Sequence, residues 1–193
     1  EHDGCRGKVS GAVALRESDH VGTWLFGHKA SSREEFRELV YAKDWDRLFD
    51  TLEVRDGDYV HTPAGVIHGG WGSGIVSATF GTNGDLTYRF YDNDRNDPNR
   101  PLEIDKVCDC ASFPELPFCA ERVKPIKTEG ILRYDYHDID GEYVAKKFKV
   151  GGSGSYSYDS FLIMTCVDGS GIIDDEPIAK GDTLLIPCGY GEF

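Results

Sequence analysis

A short turn motif occurs twice in this chain and limits what it can fold into. One copy runs from Gly57 to Gly65 and the other from Gly181 to Gly189, and both read Gly-Asp, four residues, Pro, one residue, Gly. Glycine tolerates a positive φ and proline fixes φ, so both ends of the motif are turn signals. The β-forming residues between them favour a short strand. Self-similarity of this kind indicates two copies of one β-rich unit.

The two copies differ in the residue that follows the second turn. The first copy continues to His68, whereas the corresponding position of the second copy is Glu192. An imidazole held just after a rigid corner is well placed to bind a metal ion, because metal sites need firmly oriented ligands. A surface turn with an incidental histidine is the alternative interpretation. The difference predicts chemistry in the first copy and a structural role for the second.

Length and charge exclude several classes of protein. The chain has 193 residues and a formal net charge of −13, and this length suits one large or two small domains. The negative charge disfavours nucleic acid and anionic membranes as partners. No apolar run in the sequence is long enough to span a membrane, and no signal peptide is visible. We therefore expect a cytoplasmic protein, and we take it to be a monomer.

The six cysteines do not form a recognisable metal-binding or disulfide pattern. Cys108 and Cys110 form a C-x-C pair with Cys119 close behind. A zinc knuckle requires C-x2-C spacings and a second pair, and disulfide-rich scaffolds are usually shorter. We expect reduced thiols.

The ends of the chain suggest that it is part of a larger protein. It begins with Glu1 rather than Met and stops at Phe193, shortly after the second copy of the motif. A missing next strand would leave a bare sheet edge. We therefore interpret the sequence as a fragment, or as a protein trimmed at both ends.

Hydrophobic periodicity predicts an all-β fold with one helical insertion. Ser32 and Glu35 have the spacing of a capping box, and apolar residues at helical spacing follow, so the insertion is expected at about residues 31 to 50. The predicted strands are Val9 to Leu15, Thr23 to Phe26, Tyr59 to His61, Ile75 to Phe80, Leu86 to Tyr91, Ile131 to Tyr136, Tyr143 to Val150, Ser160 to Val167 and Thr183 to Ile186. Strands joined by glycine turns favour two jelly-roll units. We expect the first domain over residues 1–106, and a linker with a second domain, incomplete at its C-terminus, over residues 107–193.

Three stretches of the chain together resemble one enzyme family. Gly7 to Ser10 is similar to a G-K-T-E motif, and Gly57 to His68 to a G-D-x4-P-A-G-x2-H motif. Asp85 to Arg89 and Asp92 to Arg95 are similar to S-D-x-T-Y-R and D-Y-x-R. This combination resembles the type I mannose-6-phosphate isomerases, a group with the cupin fold. The resemblance covers essentially the whole chain and implies two cupin-like jelly-roll units.

The resemblance also implies an activity and a set of site residues. Members of the family interconvert mannose 6-phosphate and fructose 6-phosphate through an enediol, with zinc as cofactor. It implies that His68 is a metal ligand and Arg89 the catalytic arginine. It suggests that Lys8 binds the substrate phosphate and that Asp85 shapes the pocket. Such an isomerisation moves a proton between two carbons and needs positive charge near the developing oxyanion.

The chain departs from the family pattern at the metal ligands. The family holds zinc with a Gln and a His of an upstream Q-x-H motif, the Glu of G-K-T-E and the His matched by His68. The glutamate position is Ser10 here, and Thr79 and Gly81 replace an E-x-Q pair. A neutral hydroxyl is a poor zinc ligand beside carboxylate and imidazole. These replacements leave open a second reading, a catalytically degenerate cupin that binds a sugar or sugar phosphate without turnover.

Overall fold

The computed structural model describes residues 4, 6–15, 21–69, 76–84 and 86–193. Its strands are β1 (Ser10–Leu15), β2 (Gly22–His28), β3 (Phe49–Val54), β4 (Tyr59–Thr62), β5 (His68–Gly69), β6 (Val76–Gly81), β7 (Ile126–Thr128), β8 (Ile131–Asp138), β9 (Val144–Val150), β10 (Leu162–Thr165), β11 (Ser170–Ile173), β12 (Glu176–Ala179) and β13 (Thr183–Ile186). Its helices are α1 (Arg33–Ala42), α2 (Trp45–Leu48) and α3 (Ile104–Cys110). The predicted all-β class with a helical insertion is confirmed. No helix of the described residues is long and apolar enough to cross a membrane.

The chain divides into two compact units. The first comprises Glu1–Lys124 and Asp135–Lys146, and the second comprises Pro125–Tyr134 and Lys147–Phe193. The assignment of two cupin-like domains to residues 1–106 and 107–193 stays a prediction.

Two antiparallel sheets build the first unit, with strand orders β4-β1-β6 and β3-β2-β5. Ala14 and Val60 from one sheet form a buried cluster with Phe26, Leu52 and Val54 from the other. Side chains alternate along a strand, so residues an even number of positions from Ala14 on β1 face the opposite sheet. The sheets are therefore held together by their inner faces, and β1 carries Ser10 on that side.

The repeated corner has the same hydrogen bonds in both units. In the first copy, Asp58 Oδ2 accepts the Arg55 N–H at 2.8 Å, and the Asp58 N–H donates to the Arg55 carbonyl at 3.0 Å. In the second copy, Asp182 Oδ2 accepts the Ala179 N–H at 2.8 Å, and the Asp182 N–H donates to the Ala179 carbonyl at 2.9 Å. The glycines of both copies have positive φ: Gly57 79°, Gly65 88°, Gly181 99° and Gly189 76°. The repeated sequence motif therefore forms the same local turn in both units, and the larger repeat of one β-rich unit stays a prediction.

Each corner is also tied to a neighbouring strand in the same way. Ala14 N–H donates to the Asp58 carbonyl at 2.9 Å, and Gly57 N–H donates back to the Ala14 carbonyl at 2.8 Å. Cys166 exchanges the equivalent bonds with Asp182 and Gly181, at 2.9 and 2.8 Å. The motif therefore fixes both the turn and its docking onto a second strand.

The helical insertion forms where the sequence predicts it. Ser32 caps α1, because its Oγ accepts the N–H of Glu35 at 3.2 Å. In a capping box the Glu35 side chain would accept the N–H of Ser32, the N-cap residue. Here Glu35 Oε2 instead accepts the N–H and the hydroxyl of the preceding residue, Ser31, at 2.8 and 2.6 Å. Phe36 is fully buried in the core beneath the helices. Phe49 was expected to continue the helical face, but it begins β3 instead.

Two segments between residues 86 and 110 differ from the predictions. Residues 86–91 form no strand, because Tyr88, Phe90 and Tyr91 all pack against the cluster beneath the helices. A strand would send neighbouring side chains to opposite faces. The predicted linker contains helix α3, whose Cys108 is buried in that cluster with 3% exposure. The cysteines that the structure describes, from Cys108 onward, are free thiols, as expected.

We predict that the corner aspartates differ in their contribution to stability. Asp58 is buried and also accepts from Arg122, at 2.7 Å from Nη2 and 3.0 Å from Nε, whereas Asp182 is exposed. Asp58→Asn should lower the free energy of unfolding by about 1.5–3 kcal/mol, the range for hydrogen bonds to charged groups. Asp182→Asn, the matched control, should cost clearly less in urea denaturation. Equal losses for the two variants would contradict this assignment.

A second prediction concerns Glu115, whose side chain is 5% exposed. Burial raises the pKa of Glu115 from 4.5 to about 7, against the lowering effect of a hydrogen bond from the His28 backbone. Because the folded state holds this proton more tightly, the stabilisation is complete below pH 4.5 and is lost as the pH rises to about 7.

Urea denaturation of wild type and Glu115→Gln across pH 4–8 tests this dependence. The stability difference between the two proteins should change in favour of Glu115→Gln as the pH rises through that window. Comparison within the pair cancels titrating groups that lie far from Glu115, but not His28, whose Nε2 lies 3.6 Å from Glu115 Oε2 and whose pKa is lowered by burial. Glu38→Gln, at an exposed position of α1, is the control. A pH-independent difference between Glu115→Gln and wild type would refute the prediction.

Candidate functional site

The first corner positions His68 at the open end of the β structure. Val66 N–H closes the turn on the Pro63 carbonyl at 3.3 Å. His68 then pairs with Phe26 of β2, and the two ring centroids lie 6.4 Å apart. Since Phe26 belongs to the core between the sheets, His68 lies on the same inner face. His68 itself is exposed.

Among the described residues, a hydrogen bond engages only one ring nitrogen of His68. Its Nδ1 lies 2.9 Å from the Val66 carbonyl oxygen. A carbonyl only accepts, so Nδ1 carries a proton, and in the neutral tautomer this leaves the lone pair on Nε2. A backbone acceptor of this kind orients a histidine for metal binding through the other nitrogen.

The inner face opposite His68 carries hydroxyl groups and glycine. Ser10 is 9% exposed and pairs directly with Thr62 of β4 and Gly81 of β6. Thr79 pairs with Ala12, two residues along β1 and therefore on the same face. The positions that the family resemblance links to a glutamate ligand and to an E-x-Q pair thus present small neutral groups.

These residues do not fit a zinc centre by themselves. Zinc in proteins takes about four ligands from thiolate, imidazole and carboxylate groups. Among the described residues, no three His, Cys, Asp or Glu side chains converge in a way that could hold a metal. His68 supplies one imidazole, and Ser10 supplies only a neutral hydroxyl.

The structure places the other predicted site residues at different points. Lys8 is exposed, and its Cβ lies 3.6 Å from where a Cβ on Gly84 would stand. Asp85, the next residue after Gly84, lies outside the described residues. Arg89 is half-buried in the irregular segment after β6, and its carbonyl accepts the Glu103 N–H at 2.6 Å. None of these described contacts joins Lys8 or Arg89 to His68, so their roles stay predictions.

The sheet β4-β1-β6 carries, on its outer face, a cluster of ionisable side chains that the sequence did not predict. Tyr59 and Tyr143 hydroxyls are 2.9 Å apart, and His61 Nδ1 lies 3.4 Å from the first and 3.5 Å from the second. His137 stacks on His61 and Tyr143 with ring centroids 4.8 and 4.2 Å away. Its Nε2 lies 2.8 Å from Glu142 Oε2. These contacts leave His137 8% exposed.

Burial favours the neutral forms of His61, Tyr59 and Tyr143. It lowers the pKa of His61, and the nearby His137 lowers it further. It also raises the pKa of Tyr59 and of Tyr143. Gly11 makes the arrangement possible, because a Cβ there would stand 2.6 Å from the Tyr143 hydroxyl. The hydrogen bond and the ring stacking of these side chains hold residues 135–146 against the sheet, so we assign the cluster to packing.

Comparison with known proteins gives relatives of one kind. Mannose-6-phosphate isomerase ManA of Bacillus subtilis (strain 168) is 30% identical over an alignment of 181 positions, and the match covers 88% of this chain and 55% of that protein. Mannose-6-phosphate isomerase of Streptococcus mutans is 27% identical over an alignment of 198 positions, gaps included, and the match covers 97% of this chain and 60% of that protein. No family model matches the chain.

A solved structure confirms the predicted fold class. The crystal structure of the mannose 6-phosphate isomerase from Bacillus subtilis matches with a TM-score of 0.83 at 25% identity. The match covers 96% of this chain and 60% of the solved chain. The all-β cupin fold expected from the resemblance is therefore confirmed. The chain spans little more than half the length of the relatives it matches.

We predict that the chain binds zinc weakly or not at all, because metal affinity requires several deprotonated ligands acting together. Ser10→Glu alone should change zinc affinity little in isothermal titration. Ser10→Glu combined with an added upstream Q-x-H segment should raise the affinity by far more than the two changes taken singly. Metal analysis of the purified wild-type chain is the direct check. About one tightly held zinc per chain would show that further ligands exist.

Proposed function

We propose that this chain, a homologue of the mannose-6-phosphate isomerases over most of its length, interconverts mannose 6-phosphate and fructose 6-phosphate. The observation that carries the proposal is the shared fold together with the retained corner, which holds His68 on the inner face with Nε2 free. A phosphorylated hexose is the corresponding partner.

Arg89 and Lys8 have the chemistry that this reaction requires of a protein. The isomerisation passes through an enediol, and a permanent cation beside the reacting oxygens stabilises charge that develops there. We assign that role to Arg89, because arginine is the permanently charged cation among protein side chains. Lys8, exposed beside the loop that contains Gly84, is the proposed partner of the substrate phosphate.

The metal requirement is the weakest match between this chain and the proposed reaction. Zinc is the cofactor that the family resemblance implies, but Ser10 and His68 do not form a zinc centre on their own. We therefore expect isomerase turnover by the 193-residue chain to be low. Substrate binding depends on Lys8 and Arg89 rather than on the metal ligands, so it should persist.

A coupled assay that measures fructose 6-phosphate formed from mannose 6-phosphate, with and without added zinc, tests the proposal. The Bacillus subtilis relative is assayed in parallel for comparison. We expect turnover below that of the relative, and Arg89→Ala should reduce it by about a hundredfold or more, as for other groups that stabilise an oxyanion. Arg47→Ala, at an exposed position of α2, is the matched control.

Equilibrium binding of mannose 6-phosphate separates the remaining outcomes. Binding that Lys8→Ala weakens, without turnover under any metal condition, would overturn the isomerase proposal in favour of a sugar-phosphate binding protein. Neither binding nor turnover would overturn both. Turnover that Arg89→Ala leaves unchanged would show that another group stabilises the enediol.

A further inference from the structure

A cavity lies in the first unit, between the helical insertion and the segment that follows β6. Its volume is about 400 Å³, within the size range of small-molecule sites, roughly 300–1,000 Å³. Its walls come from the end of α1 and the start of α2 on one side, and from residues 90–104 on the other. None of the residues assigned to the phosphohexose site lines it.

Three aromatic side chains form one wall of this cavity. Trp45 and Tyr91 have ring centroids 4.4 Å apart, and Phe90 lies 6.4 Å from Trp45. Trp45 also stacks on Phe49 at 5.3 Å with an interplanar angle of 9°. Contacts on several sides hold the rings in place before any ligand arrives. Such a wall suits the apolar face of a sugar ring, which gains from stacking on a rigid aromatic surface.

The rest of the lining is charged but balanced. Lys43 Nζ lies 2.6 Å from Asp94 Oδ1, and Arg95 Nη2 lies 2.8 Å from Asp92 Oδ1. Arg100 and Asp97 complete three cations and three carboxylates among the lining residues. A phosphate or other anion gains no net Coulomb attraction from equal numbers of opposite charges. The lining therefore favours a neutral ligand with many hydroxyl groups, which can donate to carboxylates and accept from cations.

One polar atom in the wall lacks a partner. Asp92 Oδ2 is buried and has no hydrogen bond to any described residue, although Asp92 Oδ1 bonds Arg95. A buried acceptor without a donor costs free energy. A ligand hydroxyl, or a water that the ligand orders, would satisfy it.

We propose that this cavity binds a neutral saccharide, with one sugar face on Trp45 and Tyr91 and hydroxyl groups at the Asp92–Arg95 pair. This site is separate from the phosphohexose site and does not depend on it. The bond between Asp92 and Arg95 also accounts for part of the D-Y-x-R-like stretch, which the residues assigned to the isomerase site leave without a role.

Heteronuclear NMR of the intact chain tests the proposal. The probes are methyl α-mannopyranoside, mannobiose and cellobiose, with inorganic phosphate as the charged comparison. We expect at least one saccharide at millimolar concentration to shift amide signals confined to residues 40–45 and 90–104. Phosphate should not shift these signals.

Two variants act on the cavity without removing its core side chains. Leu102→Trp fills it from an exposed wall position, and Asp92→Asn removes the carboxylate while keeping its size. Each should weaken saccharide binding by about threefold to tenfold, which corresponds to one lost contact of this kind. Trp24→Phe, in the core between the sheets, and Asp140→Asn, at an exposed turn, are the matched controls and should bind as wild type does.

The dispersion of the NMR signals shows whether each variant is folded. Saccharide shifts that arise elsewhere on the protein, or that survive both cavity variants, would overturn the proposal. So would equal shifts with phosphate, or no shift with any of the three saccharides.

Discussion

The fold of this chain depends on the aspartate that follows the first glycine of each corner. Its carboxylate accepts from, and its N–H donates to, the backbone of the residue three positions earlier, which is Arg55 or Ala179. Its carbonyl accepts the N–H of a residue on a second strand segment, which is Ala14 or Cys166. One residue therefore closes a turn and sets the pairing of two strands that are far apart in sequence. In the first unit the same carboxylate, that of Asp58, is buried and paired with Arg122. Buried charge that is bonded on several sides specifies one arrangement, because no alternative register satisfies it.

Features with local causes could be predicted from the sequence. Some features depend only on residues close in sequence and can therefore be recognised from the sequence alone. They are the corner glycines and prolines, the cap at Ser32 and the alternation along the strands. The prediction that residues 86–91 form a strand was wrong, since Tyr88 and Phe90 pack together against helices distant in sequence. The burial of His137 has a similar cause, because His137 stacks on His61, which lies 76 positions earlier (137 − 61). Tertiary contacts of this range leave no periodic signal.

The candidate site was predictable only in part. The position of His68 follows from the corner itself, and its inner-face orientation follows from the strand register. The placement of Arg89 could not be predicted in this way, because Arg89 lies in a segment without regular structure, where packing sets the direction of side chains. The saccharide cavity could not be predicted either, since its aromatic wall joins Trp45 of the insertion to Tyr91 of the irregular segment. Predictions from sequence therefore served best where a side chain stands on a strand of known register.

The changes at the inner face are coupled rather than independent. A Cβ on Gly81 would stand 2.5 Å from the Val9 carbonyl oxygen and 2.9 Å from the Ser10 Cβ. A backbone oxygen cannot move aside cheaply, so any larger residue at position 81 requires β1 and β6 to separate. The small residue at position 81 allows the close approach of β1, and that approach in turn brings Ser10 against it.

This coupling explains how the fold persists while the ligand set differs. The corner that holds the strands makes no use of Ser10, Thr79 or Gly81, so these positions can change together without loss of the frame. The reverse change is harder at position 81, because a side chain larger than glycine there requires β1 and β6 to separate. Restoring an E-x-Q pair would therefore need a change in strand spacing as well as new side chains. The spacing of β1 and β6 thus limits which residues position 81 can carry.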